Sequence, residues 1–268
     1  MKIFISDLHL GDGTRTDDFH RDRELLKFFE FAEKEARELI ILGDFLELWQ
    51  ADLDKVLFVH DKVIKRLLAL RNAIKVTYVI GNHDYIPFIK FADSGIGITT
   101  EYHDTENKII AEHGHKYDIF NRYKNPLRSI SWPKGRQIAL MAASMERFLH
   151  PDTDIWMKNA LEGIDGFLAQ AASLRNKITP AAKDYINRGG HFGEFKDAVL
   201  NHIDNGARIV IFGHTHRHEL VEMPNGIYAN CGTWVDGSEP TYIAYHKDAI
   251  ELRNALAHNI IKKIALTQ

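Results

Sequence analysis

The sequence predicts an α/β fold, and three observations carry that expectation. Early in the chain, short apolar runs alternate with segments of helical periodicity. Later, short strand-like runs follow one another with tight turns between them. That later pattern is interrupted by a long stretch, about residues 118–205, with helical periodicity and no strand.

Residues 2–6, 38–42 and 75–80 are apolar runs that end at Gly, Ser or Asp, as buried strands do. Between them, residues 20–37 place Leu25, Phe28, Phe29 and Ala32 on one helical face, and residues 54–71 do the same with Val56, Val59, Val63, Leu67 and Leu70. Strand, helix, strand, helix, strand implies a parallel sheet with right-handed crossovers. After Asn82, the runs 96–100, 107–112, 207–212, 218–222, 226–230, 241–246 and 249–254 predict an added sheet with antiparallel parts, one turn being Pro224-Asn225-Gly226. Helical stretches at Ile138–Leu149, Ile155–Leu174 and Phe192–His202 make 118–205 a helical insertion, expected to cover the edge where the site forms. One domain over 1–268 with this insertion fits a chain long for one core and short for two.

Composition bounds the chemistry from outside. A hydrophobic fraction of 45% and a charged fraction of 26% belong to an ordinary globular chain, and a net charge of -3 gives no overall pull toward nucleic acid. Cys231 is the one cysteine, so an internal disulfide and a thiolate zinc cluster are both excluded. The start, Met-Lys-Ile-Phe-Ile-Ser-Asp7, lacks a signal peptide's apolar core, and no apolar stretch reaches the roughly 18 residues that span a bilayer. A cytoplasmic location, with membrane-peripheral contact left open, is the expectation. Histidine is the outlier: 15 in 268 residues, several of them clustered.

Those clusters form five short motifs in chain order: Asp7-Leu-His9, Gly43-Asp44 with Glu47, Gly81-Asn82-His83-Asp84, His113-Gly-His115, and Gly213-His214-Thr-His216. Almost every one follows a strand-like run, and a sheet gathers such residues at one edge. Asp7 and His9, two apart at a strand end, are expected to leave the backbone in the same direction and share an ion. Asp44 can offer one carboxylate oxygen to each of two cations. Asn82 supplies a neutral amide oxygen. His83 leaves its turn another way, toward substrate, with Asp84 expected to hold its ring by a hydrogen bond. His113, His214 and His216 complete the candidate ligands; His214 and His216 either serve different ions or share one, and His115 is either a ligand or a neighbour of one. Glu47 reads as a helix-start residue beside Asp44.

Two carboxylates with four or five neutral groups suit two divalent ions with coordination left for water and substrate, an arrangement that serves phosphoryl transfer. Mixed oxygen and nitrogen ligands suit Mn²⁺, Fe²⁺, Co²⁺ or Zn²⁺ better than Mg²⁺ or Ca²⁺, with Mn²⁺ the ion expected first. Between Ile119 and Met145 the sequence carries Arg122, Lys124, Arg128, Lys134 and Arg136 without one Asp or Glu, interleaved with Leu127, Ile130 and Trp132. This basic segment is either a solvated face or a surface for an anionic or lipid headgroup, and Arg122 and Tyr123 are expected to contact a small phosphoester or nucleotide-diphosphate substrate. No obligatory protein partner is implied.

The five motifs resemble those of the calcineurin-like metallophosphoesterase superfamily. The resemblance implies a four-layer α/β/β/α sandwich, one ion on Asp7, His9, Asp44 and His216, a second on Asp44, Asn82, His113 and His214, and His83 with Asp84 as acid or charge stabiliser. Gly43-Asp44-Phe-Leu-Glu47-Leu-Trp49, the helical insertion and Gly232-Thr233-Trp234 make the chain similar to the branch of the UDP-2,3-diacylglucosamine hydrolases. It departs from that branch at His83, where an Arg is usual, and at His115, where an Asp is usual.

Overall fold

The computed structural model describes residues 1–14, 17–48, 50–84, 94–117, 192–235 and 237–266. The chain divides into two units, Met1–Arg122 joined by Phe195–Gln268, and Tyr123–Glu194. The helical stretches expected at 138–149 and 155–174, the basic segment, and with them Arg122 and Tyr123, lie outside the described residues.

Strands β1 (Lys2–Ile5), β2 (Glu38–Leu42), β3 (Lys75–Val79) and β4 (Gly97–Thr99) run parallel, linked by helix α1 (Asp22–Glu35) and the pair α2 (Leu53–Val59) and α3 (Asp61–Leu70). The helix expected over 54–71 is thus two helices. They part at His60, whose Nδ1 donates to Asp22 Oδ1 on α1 at 2.7 Å, so the break is pinned to a neighbouring element.

A second sheet contains β5 (Tyr102–Asp104), β6 (Ile109–Ala111), β7 (Ile209–Phe212), β8 (Glu219–Met223) and β9 (Gly226–Asn230), in the order β5-β6-β7-β9-β8. The remaining strands, β10 (Thr241–Tyr245), β11 (Ala249–Asn254) and β12 (Ile260–Ala265), add antiparallel to the free side of β1. The first sheet therefore has the order β12-β11-β10-β1-β2-β3-β4. The runs at 96–100, 241–246 and 249–254, expected in an added sheet, instead extend the parallel one.

Alternation along each strand decides which side every residue faces. Ile3, Ile5, Leu39, Ile41 and Val76 belong to a core with Leu25, Phe28 and Phe29 of α1 and Val63 and Leu67 of α3. Their neighbours Phe4, Ile40, Leu42 and Val79 belong to a second core with Ile109, Ile209, Ile211 and Ala229 of the other sheet. On the far side of that sheet, helix α4 (Phe192–Asp204) sets Phe195 edge-on to Phe212 with ring centroids 5.3 Å apart. Helices, sheet, sheet, helix: this is the four-layer α/β/β/α sandwich.

The two sheets are also joined by charge. Lys2 donates to Tyr102 Oη at 2.7 Å and to Asp104, and pairs with Glu38 at 3.3 Å; Tyr102 donates to Glu38 Oε2 at 2.9 Å. Burial acts to raise the Asp104 carboxyl, but Lys2 and Asn107 outweigh it and hold the group below its usual range.

Candidate metal centre

The five motifs meet at the ends of parallel strands. Asp7 and His9 follow β1, Asp44 follows β2, Asn82 and His83 follow β3, His113 follows β6, and His214 and His216 follow β7. Strand alternation does not aim them, contrary to the expectation for Asp7 and His9. Asp7, His9, Asp44, His214 and His216 all have positive φ, between 52° and 69°. That left-handed conformation costs an L residue roughly 1 kcal/mol or more, and Asp and His tolerate it better than most.

Backbone bonds between the loops hold the strain in place. Leu8 N and His9 N both donate to Asp44 O at 2.9 Å, while Thr233 Oγ1 and Trp234 N donate to Asp7 O at 2.7 and 3.0 Å. The Gly232-Thr233-Trp234 segment thus fixes the backbone of the first motif. Gly43 and Gly81 let the loops approach: a Cβ on Gly43 would meet Gly81 Cα at 2.7 Å, and one on Gly81 would meet Asp44 Oδ1 at 2.0 Å.

Three groups of ligand atoms result, Asp7 with His9 and His216, His9 with Asp44 and His83, and Asp44 with His113 and His214, each lying within 4.8 Å of one another. His9 Nε2 stands 3.0 Å from His216 Nε2 and 3.9 Å from both Asp7 Oδ1 and Asp44 Oδ2. His113 Nε2 stands 3.0 Å from Asp44 Oδ2 and 3.0 Å from Asn82 Oδ1. Asp44 Oδ2 is therefore between two histidines, while its Oδ1 accepts from His83 N at 2.9 Å.

The imidazoles are oriented from behind. His9 Nδ1 donates to Glu47 Oε2 at 2.9 Å, and His113 Nδ1 donates to Leu42 O at 2.8 Å. With Nδ1 committed in this way, Nε2 of each ring is the atom turned toward the carboxylate and amide oxygens, and it would present its lone pair to a bound ion. Without an ion, a proton on the ring takes that place. Asp7 Oδ1 gives the sharpest sign: it is buried and has no hydrogen-bond donor, although Asp7 Oδ2 accepts from His214 N at 2.9 Å. Beside Asp7 Oδ1 stand His216 Nε2 at 3.4 Å and His9 Nε2 at 3.9 Å, an arrangement that a divalent ion among the three would satisfy. The oxygen and imidazole set fits first-row divalent metals.

Electrostatics point the same way. Burial opposes ionisation of Asp7 and Asp44, yet the surrounding histidines hold both carboxyls well down. Burial lowers His113, and the adjoining Asp44 carboxylate overrides it to bring the imidazole to about 9. The site favours positive charge wherever it can be supplied.

Two expectations need correction. Asp84 does not hold the ring of His83. It is wholly buried, and accepts from Gly81 N at 2.8 Å, Phe45 N at 2.7 Å and Tyr78 Oη at 2.5 Å, which ties the turn after β3 to the turn after β2. Burial and the Asp44 carboxylate raise it to about 6. Glu47 takes the expected role instead. It starts no helix, since α2 begins at Leu53, and its Oε2 accepts from His83 Nδ1 at 2.7 Å as well as from His9. Burial acts to raise Glu47, but His83 and His9 bring it to about 2. A glutamate three residues after Asp44 was the available signal; its two partners belong to other motifs, which spacing does not reveal. His115 opens a short 3₁₀ turn, with its ring centroid 5.4 Å from that of His113, and burial lowers it to about 4.

Residues 3–218 match the calcineurin-like phosphoesterase family. A UDP-2,3-diacylglucosamine hydrolase of Psychromonas ingrahamii is 26% identical over 263 residues, covering 93% of this chain and 95% of that protein. One of Coxiella burnetii is 33% identical over 229 residues and covers 82% of each chain. A solved dimetal phosphatase from Danio rerio shares the fold over 99% of this chain and 98% of its own, with a TM-score of 0.52 at 13% identity. The chain belongs to the calcineurin-like phosphoesterase family, within it beside the UDP-2,3-diacylglucosamine hydrolases.

Proposed function

We propose that this protein hydrolyses a phosphodiester or pyrophosphate bond in a nucleotide- or lipid-linked small molecule, using two divalent ions. The single observation that carries the reading is the convergence of buried carboxylates and imidazoles at one edge, with Asp7 Oδ1 buried among them and without a hydrogen-bond donor. Asp7, His9 and His216 would hold one ion; Asn82, His113 and His214 would hold the other, with Asp44 between them. Two such ions, when bound, supply Lewis acidity to the phosphoryl group and ionise water near neutral pH.

The remaining work falls to His83 and its support. His83 is partly exposed, and its ring lies edge-on to His9 with centroids 4.8 Å apart. Glu47 accepts a hydrogen bond from His83 Nδ1 and thereby sets the rotamer, so that Nε2 would meet a phosphoryl or leaving-group oxygen. Held against a carboxylate, an imidazolium here stabilises developing negative charge and gives its proton to the departing alkoxide or phosphate. Asp84 acts one step back, by shaping the turn that carries His83.

UDP-2,3-diacylglucosamine is the substrate first to test, on the strength of the relatives' names and of their near full-length coverage. The test compares Mn²⁺-dependent hydrolysis of that compound, of simple nucleotide pyrophosphates and of an artificial phosphodiester by wild type and His83→Ala. The variant is expected to lose about 10²- to 10⁴-fold in kcat with its metal content unchanged. Loss of metal from His83→Ala would make His83 a ligand and remove it from the acid role.

A further inference from the structure

The pole of the molecule opposite the metal centre carries its own charge pattern. Arg37 precedes β2 of the first sheet, and Lys108 and Arg208 precede the parallel pair β6 and β7 of the second, so these cations stand at the starts of strands whose other ends deliver Asp44, His113 and His214. Lys247 joins them from the turn between β10 and β11. A strand of five residues sets the two poles roughly 15 Å apart.

These residues line two cavities that share Tyr245 and Lys247, one of about 220 Å³ with Arg37 and one of about 340 Å³ with Lys108 and Arg208. Tyr245, which lines both, donates to Asn107 Oδ1 at 2.8 Å and so joins the end of the first sheet to the second. Among the described residues, Arg37, Lys108 and Lys247 have no carboxylate within ion-pair distance. Glu106 and Asp248 also line the cavities, which leaves four cationic side chains against two anionic ones in a chain whose net charge is -3. Arg37, Lys108 and Lys247, gathered around these concavities, repel one another, and a bound anion relieves that repulsion. The volumes suit a small phosphorylated molecule, and guanidinium groups suit phosphate oxygens.

We infer that this rim is a second binding site, separate from the metal centre, for a small anion bearing a phosphate dianion. The phosphate is either free or carried on a nucleoside. The inference stands on the charges and cavities of this pole and does not depend on the reaction at the other.

The test is a titration of the isotope-labelled protein with inorganic phosphate and, separately, with UMP, followed by amide chemical shifts. Both probes are expected to move Asn107, Lys108 and the 245–248 turn in a saturable way; the tighter of the two shows whether the cavity reads phosphate alone or the nucleoside as well. The Arg37→Gln/Lys247→Gln protein should bind about tenfold more weakly at low salt, with an unchanged melting temperature because both side chains are exposed. Shifts confined to the metal edge, or equal affinity in the double variant, would overturn the inference. So would binding to vesicles rich in phosphatidylglycerol without binding of either soluble probe, since a flat lipid surface would then be the partner.

Discussion

Glu47 shows how one carboxylate oxygen can organise two motifs. By accepting from His9 and His83 at once, it fixes with the same atom two rings that the proposed function gives different tasks. Glu47→Gln keeps an acceptor and removes the charge, so His9 should stay in place while His83 loses its counter-ion. The expected outcome is a fall of about 10- to 100-fold in kcat with both ions retained, read by steady-state kinetics alongside metal analysis. An equal fall in metal content would mean that the carboxylate serves His9 first. Candidate ligands were legible in the sequence because each sits in a short motif directly after a strand. The supporting partners were not: Asp84 adjoins His83 in the chain yet turns inward to Tyr78, and Glu47 reaches two residues from other loops. Hydrogen bonds made across loops leave no periodicity to read.

At the scale of elements, the turns after β1, β2 and β3 behave as one interlocked piece. The glycines in the motifs mark where backbones must nearly touch, not only where a turn is tight. Gly81→Ala puts a Cβ against Asp44. That variant should fold, since the sheets are untouched, and should lose most of its bound metal, as calorimetric titration with Mn²⁺ would show. Retention of wild-type affinity would mean that the Asp44 loop yields. The parallel strands and α1 were readable from apolar runs and helical spacing. Missed were β5, whose Tyr102-His103-Asp104 carries one apolar residue and so shows no strand run, and β12, an edge strand exposed along most of its length. Sheet membership of β10 and β11 was hidden for another reason: nothing local says which edge a hairpin will join.

Across the whole molecule, two cores and one buried charge cluster hold the sheets at the spacing the metal edge requires. Lys2 is the hinge of that cluster. Lys2→Met would leave Asp104 with Asn107 alone among its described polar partners, at a cost of about 2–3 kcal/mol near neutral pH. Asp104 and Glu38 are both held below their usual values, Glu38 by Lys75 and Tyr102 against the opposing effect of burial. Groups shifted in this direction stabilise the fold above their unfolded values near 4, and that contribution disappears as pH falls through the lower folded values. Acid unfolding followed by circular dichroism should therefore show wild type losing stability below about pH 4, and Lys2→Met losing less over the same window because part of the contribution is already gone. Identical acid profiles would place the stabilisation elsewhere.

The claim on which the functional reading rests is that the buried acceptors at the strand ends exist to hold two cations. The direct measurement is a Mn²⁺ titration of chelator-treated protein, with bound metal counted by elemental analysis and stability followed by thermal melting. Two ions per chain should bind, each raising stability by about 2.7 kcal/mol at a free concentration a hundredfold above its dissociation constant, and Asp44→Asn should weaken both. Binding of no ion, or an Asp44→Asn protein that still binds two with full affinity, would contradict the account.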